Sequence, residues 1–157
     1  MADEVVVRQQ GEGEAYWTLG GLFEVKAKGA ETGGHITILE ATLPAGGAPP
    51  PHKHNAGECV YVLSGRIAYN IGDDRHEGGP GSFFYVPAEV WENFEALEES
   101  RLLVMYIPGG QEDFFAEAGE PATSRELPPP DAGAPDVERL VAAAARYGMV
   151  LKPPTPA

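Results

Sequence analysis

His52 and His54, one residue apart, and Glu58, four residues further on, are the side chains of this sequence best placed to do chemistry. Strand side chains alternate with period two, so His52-Lys53-His54 in extended form turns both imidazoles to one face. Glu58 heads the apolar run Cys59-Val60-Tyr61-Val62-Leu63, which places a carboxylate where a strand enters a packed interior. Two imidazoles and a carboxylate suit a borderline divalent metal, and they match the facial set of non-haem iron oxygenases. A metal-site carboxylate of this kind can also act as base toward a substrate hydroxyl. Cys59 points to the opposite face by strand parity and reads as packing.

These residues need strands to hold them, and the surrounding sequence supplies the pattern. Short β-like runs follow one another with Gly, Pro or Asp between them: Ala15–Leu19, Leu22–Ala27, His35–Leu43, Glu58–Leu63, Arg66–Ile71, Ser82–Val86, Glu92–Leu97 and Arg101–Ile107. Another short strand is expected around His76, between the turn signals Gly72-Asp73-Asp74 and Gly78-Gly79-Pro80-Gly81. The spacing predicts a β-sandwich or barrel. Pro49-Pro50-Pro51 ends one strand and stiffens the approach to the histidines, since proline donates nothing to a sheet ladder. After Pro108-Gly109-Gly110 the period changes. A short helix is expected over Gln111–Ala118, carrying Phe114 and Phe115, then a Pro-rich linker over Ser124–Pro135. Asp136 caps a second helix, Val137–Tyr147, with Leu140, Val141 and Ala144 on one face. Lys152–Ala157 is expected to fray. The division is therefore 1–123 as a β body with a short helix, and 124–157 as linker plus C-terminal helix packed on it.

Composition narrows the function. A chain of 157 residues with a formal charge of −13 and a pI near 4.6 is a poor partner for nucleic acid or an anionic membrane, both of which attract basic patches. The single cysteine rules out an internal disulfide framework. Met1-Ala-Asp-Glu4 lacks the basic start of a signal peptide, and no apolar stretch approaches membrane-spanning length. A cytoplasmic protein acting on a small molecule is the expectation.

The order Gly46, His52-x-His54, Glu58 and Gly65 resembles the first conserved motif of the cupins. The second cupin motif is met in part: Gly81 and Pro87 stand in register, but Glu89 replaces a glycine, Glu92 the metal-binding histidine and Ala96 the closing asparagine. The flanks Gly11–Trp17 and Ile107–Pro121 are similar to those of small single-domain cupins related to bacterial quercetin 2,3-dioxygenase-like proteins. The resemblance implies an all-β fold, a double-stranded β-helix or jelly-roll barrel with short C-terminal helices. It implies one divalent metal ion per chain on His52, His54 and Glu58, a homodimer, and a dioxygenase acting on an enol or phenol. Two other classes stay open: a cupin that binds a metal and a small molecule without catalysis, and a non-oxidative isomerase or cyclase.

Glu92 decides the character of the site. As a ligand it makes a shell of two imidazoles and two carboxylates, neutral around a divalent ion. That harder shell favours iron or manganese, with nickel, zinc and copper as further candidates. Glu58 and Glu92 are then the candidate catalytic groups. Without metal, two carboxylates about 4 Å apart repel by about 4 kcal/mol at a protein edge, and one is expected to keep its proton. In the alternative, Glu92 turns outward and three ligands remain. Phe94, two residues on and on the same face, is the expected pocket residue. His35 reads as a strand-edge residue and His76 as solvated; Tyr16-Trp17 and the aromatic-rich strands offer the dimer surface.

Overall fold

Alternation along the sequence becomes alternation of burial. In β3 (Thr37–Leu43) every second residue is buried and the others are half-buried, which turns one face to a core. The computed structural model describes residues 3–130, 132 and 135–152. The expected fraying of 153–157, and the linker positions 131, 133 and 134, lie outside these.

Two antiparallel sheets face one another. The larger contains β1 (Ala15–Thr18), β2 (Gly21–Ala27), β3, β5 (Gly57–Ser64), β8 (Phe83–Val86), β10 (Ser100–Ile107) and β11 (Glu120–Pro121), in the order β11-β1-β2-β3-β10-β5-β8. The smaller runs β12-β4-β9-β6-β7, with β4 (His52–His54), β6 (Ile67–Ile71), β7 (Asp74–Gly78), β9 (Glu92–Ala96) and β12 (Met149–Leu151). Leu39, Val60, Val62, Leu102 and Val104 of one sheet meet Ile67, Tyr69 and Phe94 of the other in the core. Each such side chain taken from water contributes about 1.5–3 kcal/mol. Gly65, the motif glycine between β5 and β6, has φ +81, and a Cβ there would lie 2.3 Å from Ser100 Oγ. Only glycine fits that turn.

Two helices close one end. α1 (Glu112–Ala118) buries Phe114 and Phe115. α2 (Val137–Arg146) begins at Asp136, whose side chain accepts from the Arg139 N–H. Arg139 ties α2 to α1 through the carbonyls of Glu117 and Gly119.

The structure departs from the sequence reading in four places. His35 lies in a bend before β3, exposed and 3.7 Å from Asp3, because Gly33 and Gly34 both turn with positive φ ahead of it. The inner stripe of α2 is Leu140, Ala143 and Ala144, and Val141 is exposed. Residues 140, 143 and 144 fall on one face at i, i+3 and i+4, and 141 lies a hundred degrees away from 140. Strands β11 and β12 were not foreseen. Tyr16 and Trp17 are half-buried within the chain, Trp17 donating to the Glu126 carbonyl. The exposed aromatics are Tyr61, Phe83 and Tyr85, on the outer face of β5 and its edge neighbour β8, which are among the aromatic-rich strands. No helix among the described residues is long and apolar enough to cross a membrane.

Candidate metal centre

The histidines ride on a strand only three residues long. β4 meets β9 at a single register pair, His52 opposite Glu92, and meets β12 along its whole length, Met149 opposite His54 and Leu151 opposite His52. Glu58 enters from the facing sheet, on β5, opposite Tyr106 of β10. Two sheets thus deliver His52, His54, Glu58 and Glu92 to one point. One ligand atom from each lies within 4.8 Å of the others, and all four residues are buried. Of the two orientations open to Glu92, the structure shows the inward one.

Electrostatics at this point are unusual. His52 Nδ1 lies 2.8 Å from the Pro50 carbonyl. A carbonyl can only accept, so Nδ1 carries the hydrogen and the Nε2 lone pair faces the cluster. Both ring nitrogens of His54 and Oε2 of Glu58 are buried without a hydrogen-bond partner. His54 Nε2 and Glu58 Oε2 approach to 3.0 Å, but without hydrogen-bond alignment. Unpaired buried polar atoms are costly, about 1–3 kcal/mol each, and lone pairs converging on one point are what a cation satisfies. Burial and then the neighbouring His54 push His52 down to about 4, and burial lowers His54 as well. Both are neutral at pH 7, as metal ligands must be. Burial raises Glu58. Burial and then the charge of Glu58 push Glu92 up to about 9, so one carboxyl keeps its proton when no cation is present. The donor set and its orphaned lone pairs fit a divalent ion.

Above the cluster lies a cavity of about 50 Å3, lined by the apolar side chains Phe23, Phe94, Val104, Phe115, Leu140 and Met149 among others, with His52, His54 and Glu58 at its polar end. Phe94 is among the residues that line it. Glu92 does not line this space. The Tyr69 hydroxyl donates to its Oε1 at 2.8 Å. Tyr106 completes the surround, its ring 5.2 Å from that of His54, and burial holds its hydroxyl far above the ordinary tyrosine range.

Known proteins share this fold. The family model described as Cupin domain matches residues 39–108, the span from β3 to the end of β10. Over those residues the chain is similar to a cupin domain. An RmlC-like cupin from Shewanella frigidimarina superposes with a TM-score of 0.61 at 17% identity, over 72% of this chain and 99% of that one. Oxalate decarboxylase from Bacillus subtilis, studied for its Mn(II) centres, gives 0.61 at 19% identity over 70% of this chain and 31% of its own. In sequence, quercetin 2,3-dioxygenase from Bacillus subtilis is 25% identical over 124 residues, 78% of this chain. The chain spans 37% of that relative's length. The solved structures, all below 25% identity, bear on the fold, which is that of a jelly-roll cupin.

Against the cupin pattern, one substitution leaves a conformational mark. Glu89 stands where a glycine is usual, and its φ is +67. Its N–H donates to the His54 carbonyl at 2.8 Å, so the strained turn is fastened to the ligand strand. Three residues raised from sequence stay away from the centre. Cys59 packs on the outer face of β5, and His35 and His76 are exposed. Tyr69 is the residue the sequence reading missed. It shares inward parity with Ile67, but its meeting with Glu92 depends on the β6–β9 register, which sets Tyr69 opposite Phe94 and Ile71 opposite Glu92.

Proposed function

We infer that this cupin is a metal-dependent enzyme acting on a small molecule, with an oxygenase of the quercetinase-like kind as its best-supported reading. The observation that carries this is the convergence of His52, His54, Glu58 and Glu92, with unpartnered lone pairs, at the polar end of an otherwise apolar cavity. When bound, a divalent ion supplies an electropositive centre with coordination positions open to an enol or phenol oxygen. The ion would rest on the two imidazoles and the two carboxylates, and the neutral, oxygen-rich set favours manganese or iron.

The two carboxylates divide the work. Glu58 lines the cavity, and its free Oε2 is the group placed to take a proton from a substrate hydroxyl. Glu92 is turned by Tyr69 and closes the ligand set from outside the cavity. Phe94, Phe114 and Phe115 keep water from the reacting end. The covered cavity also supports a second reading, a cupin that senses or stores a small molecule without turning it over; a non-oxidative isomerase or cyclase is the third. A cytoplasmic setting agrees with the lone buried thiol of Cys59.

The test is elemental analysis of protein purified without an affinity tag, for the parent and the His52→Ala/His54→Ala double variant. The expected result is close to one divalent metal per parent chain and none in the variant; equal metal in both overturns the site. Oxygen uptake with enolisable and phenolic substrates then separates oxygenase from the other two readings.

A further inference from the structure

The cavity and the space outside it share a wall. The inner space, about 50 Å3, lies over the histidines. An outer groove of about 1430 Å3 runs along α2 and β12. Leu19, Ala48 and Pro50 line both, as do Leu140 of α2 and Met149 and Leu151 of β12. The last three form the α2–β12 side of the partition between the metal end and bulk solvent. The same β12 is the main ladder partner of the strand bearing His52 and His54, so the partition is anchored to the site itself.

Size follows from this partition. One water needs about 10–15 Å3, and a cavity that takes benzene is about 150 Å3. The space over the ligands therefore admits a few heavy atoms, and sites that enclose drug-sized ligands are about 300–1,000 Å3. Charge follows from the lining. Among the described residues no Lys or Arg lines the cavity, and its polar groups are those of His52, His54, Glu58 and Tyr106. A dianion would bring charge to a shell whose two carboxylates already neutralise a divalent ion, with no cation elsewhere to meet it.

We propose that Leu140, with Met149 and Leu151, is the size-selecting wall of this site, restricting it to small, largely apolar ligands of a few carbons with an enol-type oxygen head. Ring systems and small dicarboxylates are both excluded. The proposal rests on the metal reading above and sharpens it, since it removes phenols, flavonols among them, from the substrate class and leaves the small enols.

Hydroxamic acids of growing bulk test the wall, because the metal-binding head stays constant. Cobalt(II)-loaded protein is titrated with acetohydroxamate, benzohydroxamate and naphthohydroxamate, following the cobalt absorption band, with each affinity normalised to that for aqueous cobalt. In the parent, acetohydroxamate is expected to bind at least tenfold more tightly than naphthohydroxamate. Leu140→Ala should shrink that ratio to within about threefold and leave acetohydroxamate unchanged, with Leu140→Val intermediate. Should Leu140→Ala not fold, Leu140→Val and Met149→Ala carry the same comparison. A parent that takes naphthohydroxamate as well as acetohydroxamate, or a ratio that no folded wall variant moves, overturns the proposal. Oxalate, normalised in the same way, should bind at least tenfold more weakly than acetohydroxamate; equal binding overturns the exclusion of dianions. A parent with no cobalt band instead overturns the metal reading beneath it.

Discussion

Replacing Glu92 by glutamine should make the metal-stripped protein more stable above pH 7 while loosening its hold on metal. Burial and the charge of Glu58 raise the Glu92 carboxyl from 4.5 to about 9. Between those values the folded protein keeps a proton that the unfolded chain has lost, so stability falls as pH rises. His52 works in the opposite sense. Its pKa drops from 6.5 to about 4, so in that window the unfolded chain holds the extra proton and stability rises with pH. From 4.5 to 6.5 the two slopes oppose one another. Above 6.5 only the carboxyl slope remains, at about 1.4 kcal/mol per pH unit, which amounts to about 3 kcal/mol by pH 9. Glu58 adds to the same side, its pKa being raised by burial. The amide of Glu92→Gln keeps the shape and can still accept from Tyr69, but carries no charge to bury. Urea unfolding of chelator-treated parent and variant, at several pH values from about 6 to about 9, reads this directly. The parent should lose about 3 kcal/mol across the range and the variant less than half of that. Parallel curves for the two proteins would refute the assignment of the alkaline slope to Glu92. Added manganese should reverse the parent's slope, because binding requires both carboxylates ionised.

Other outcomes follow from single contacts. Tyr69→Phe removes the hydroxyl that turns Glu92 and should weaken metal binding by about tenfold, measured by competition with a chelator. Glu89→Gly relieves a non-glycine residue at φ +67; a gain of about 1 kcal/mol in unfolding free energy is expected, and a loss would show that the side chain, 3.3 Å from Lys53, outweighs the strain. Gly148→Ala puts a Cβ 2.2 Å from the Asn55 side chain at φ +73, and should lower the melting temperature and metal affinity together by displacing β12. The exposed Tyr61, Phe83 and Tyr85 on the outer sheet face are proposed to seat a second copy. Light scattering should give twice the 16.7 kDa chain mass, and Tyr85→Arg should halve it; a parent at the chain mass rejects the dimer.

Much of this molecule could be read from residue order because the signals are local. His52-x-His54 fixes two side chains on one face whatever lies around it, and Glu58 opens an apolar run that can only be an inner strand. The boundaries of β3, β5, β9 and β10 lie within two residues of expectation, since period-two burial is written along β3, β9 and β10 and an unbroken apolar run marks β5. What could not be read depends on partners distant in sequence. Met149-Val150-Leu151 is too short to show a period, and becomes a strand only because β4 offers an open edge. Tyr69 is one inward aromatic among several, and only the offset between β6 and β9 brings its hydroxyl to Glu92. The burial of Glu112, which accepts from the Thr37 hydroxyl at 2.6 Å, had no local sign either.

The pairing of β4 with β12 also sets an order of events during synthesis. A ribosome adds about 5–20 residues per second, so Met149 is made roughly five to twenty seconds after His54. Through that interval the sheets can collapse on their shared core, but the histidine strand is held only by its one register pair with β9 and by the Glu89 N–H on the His54 carbonyl. The ligand set reaches its final geometry when β12 arrives and α2 closes over it. Any metal capture would then come late in the life of a nascent chain. A chain stalled before Met149 would be released with a β barrel and no secure grip on the ion, so occupancy of the site would serve a cell as a mark of completed folding.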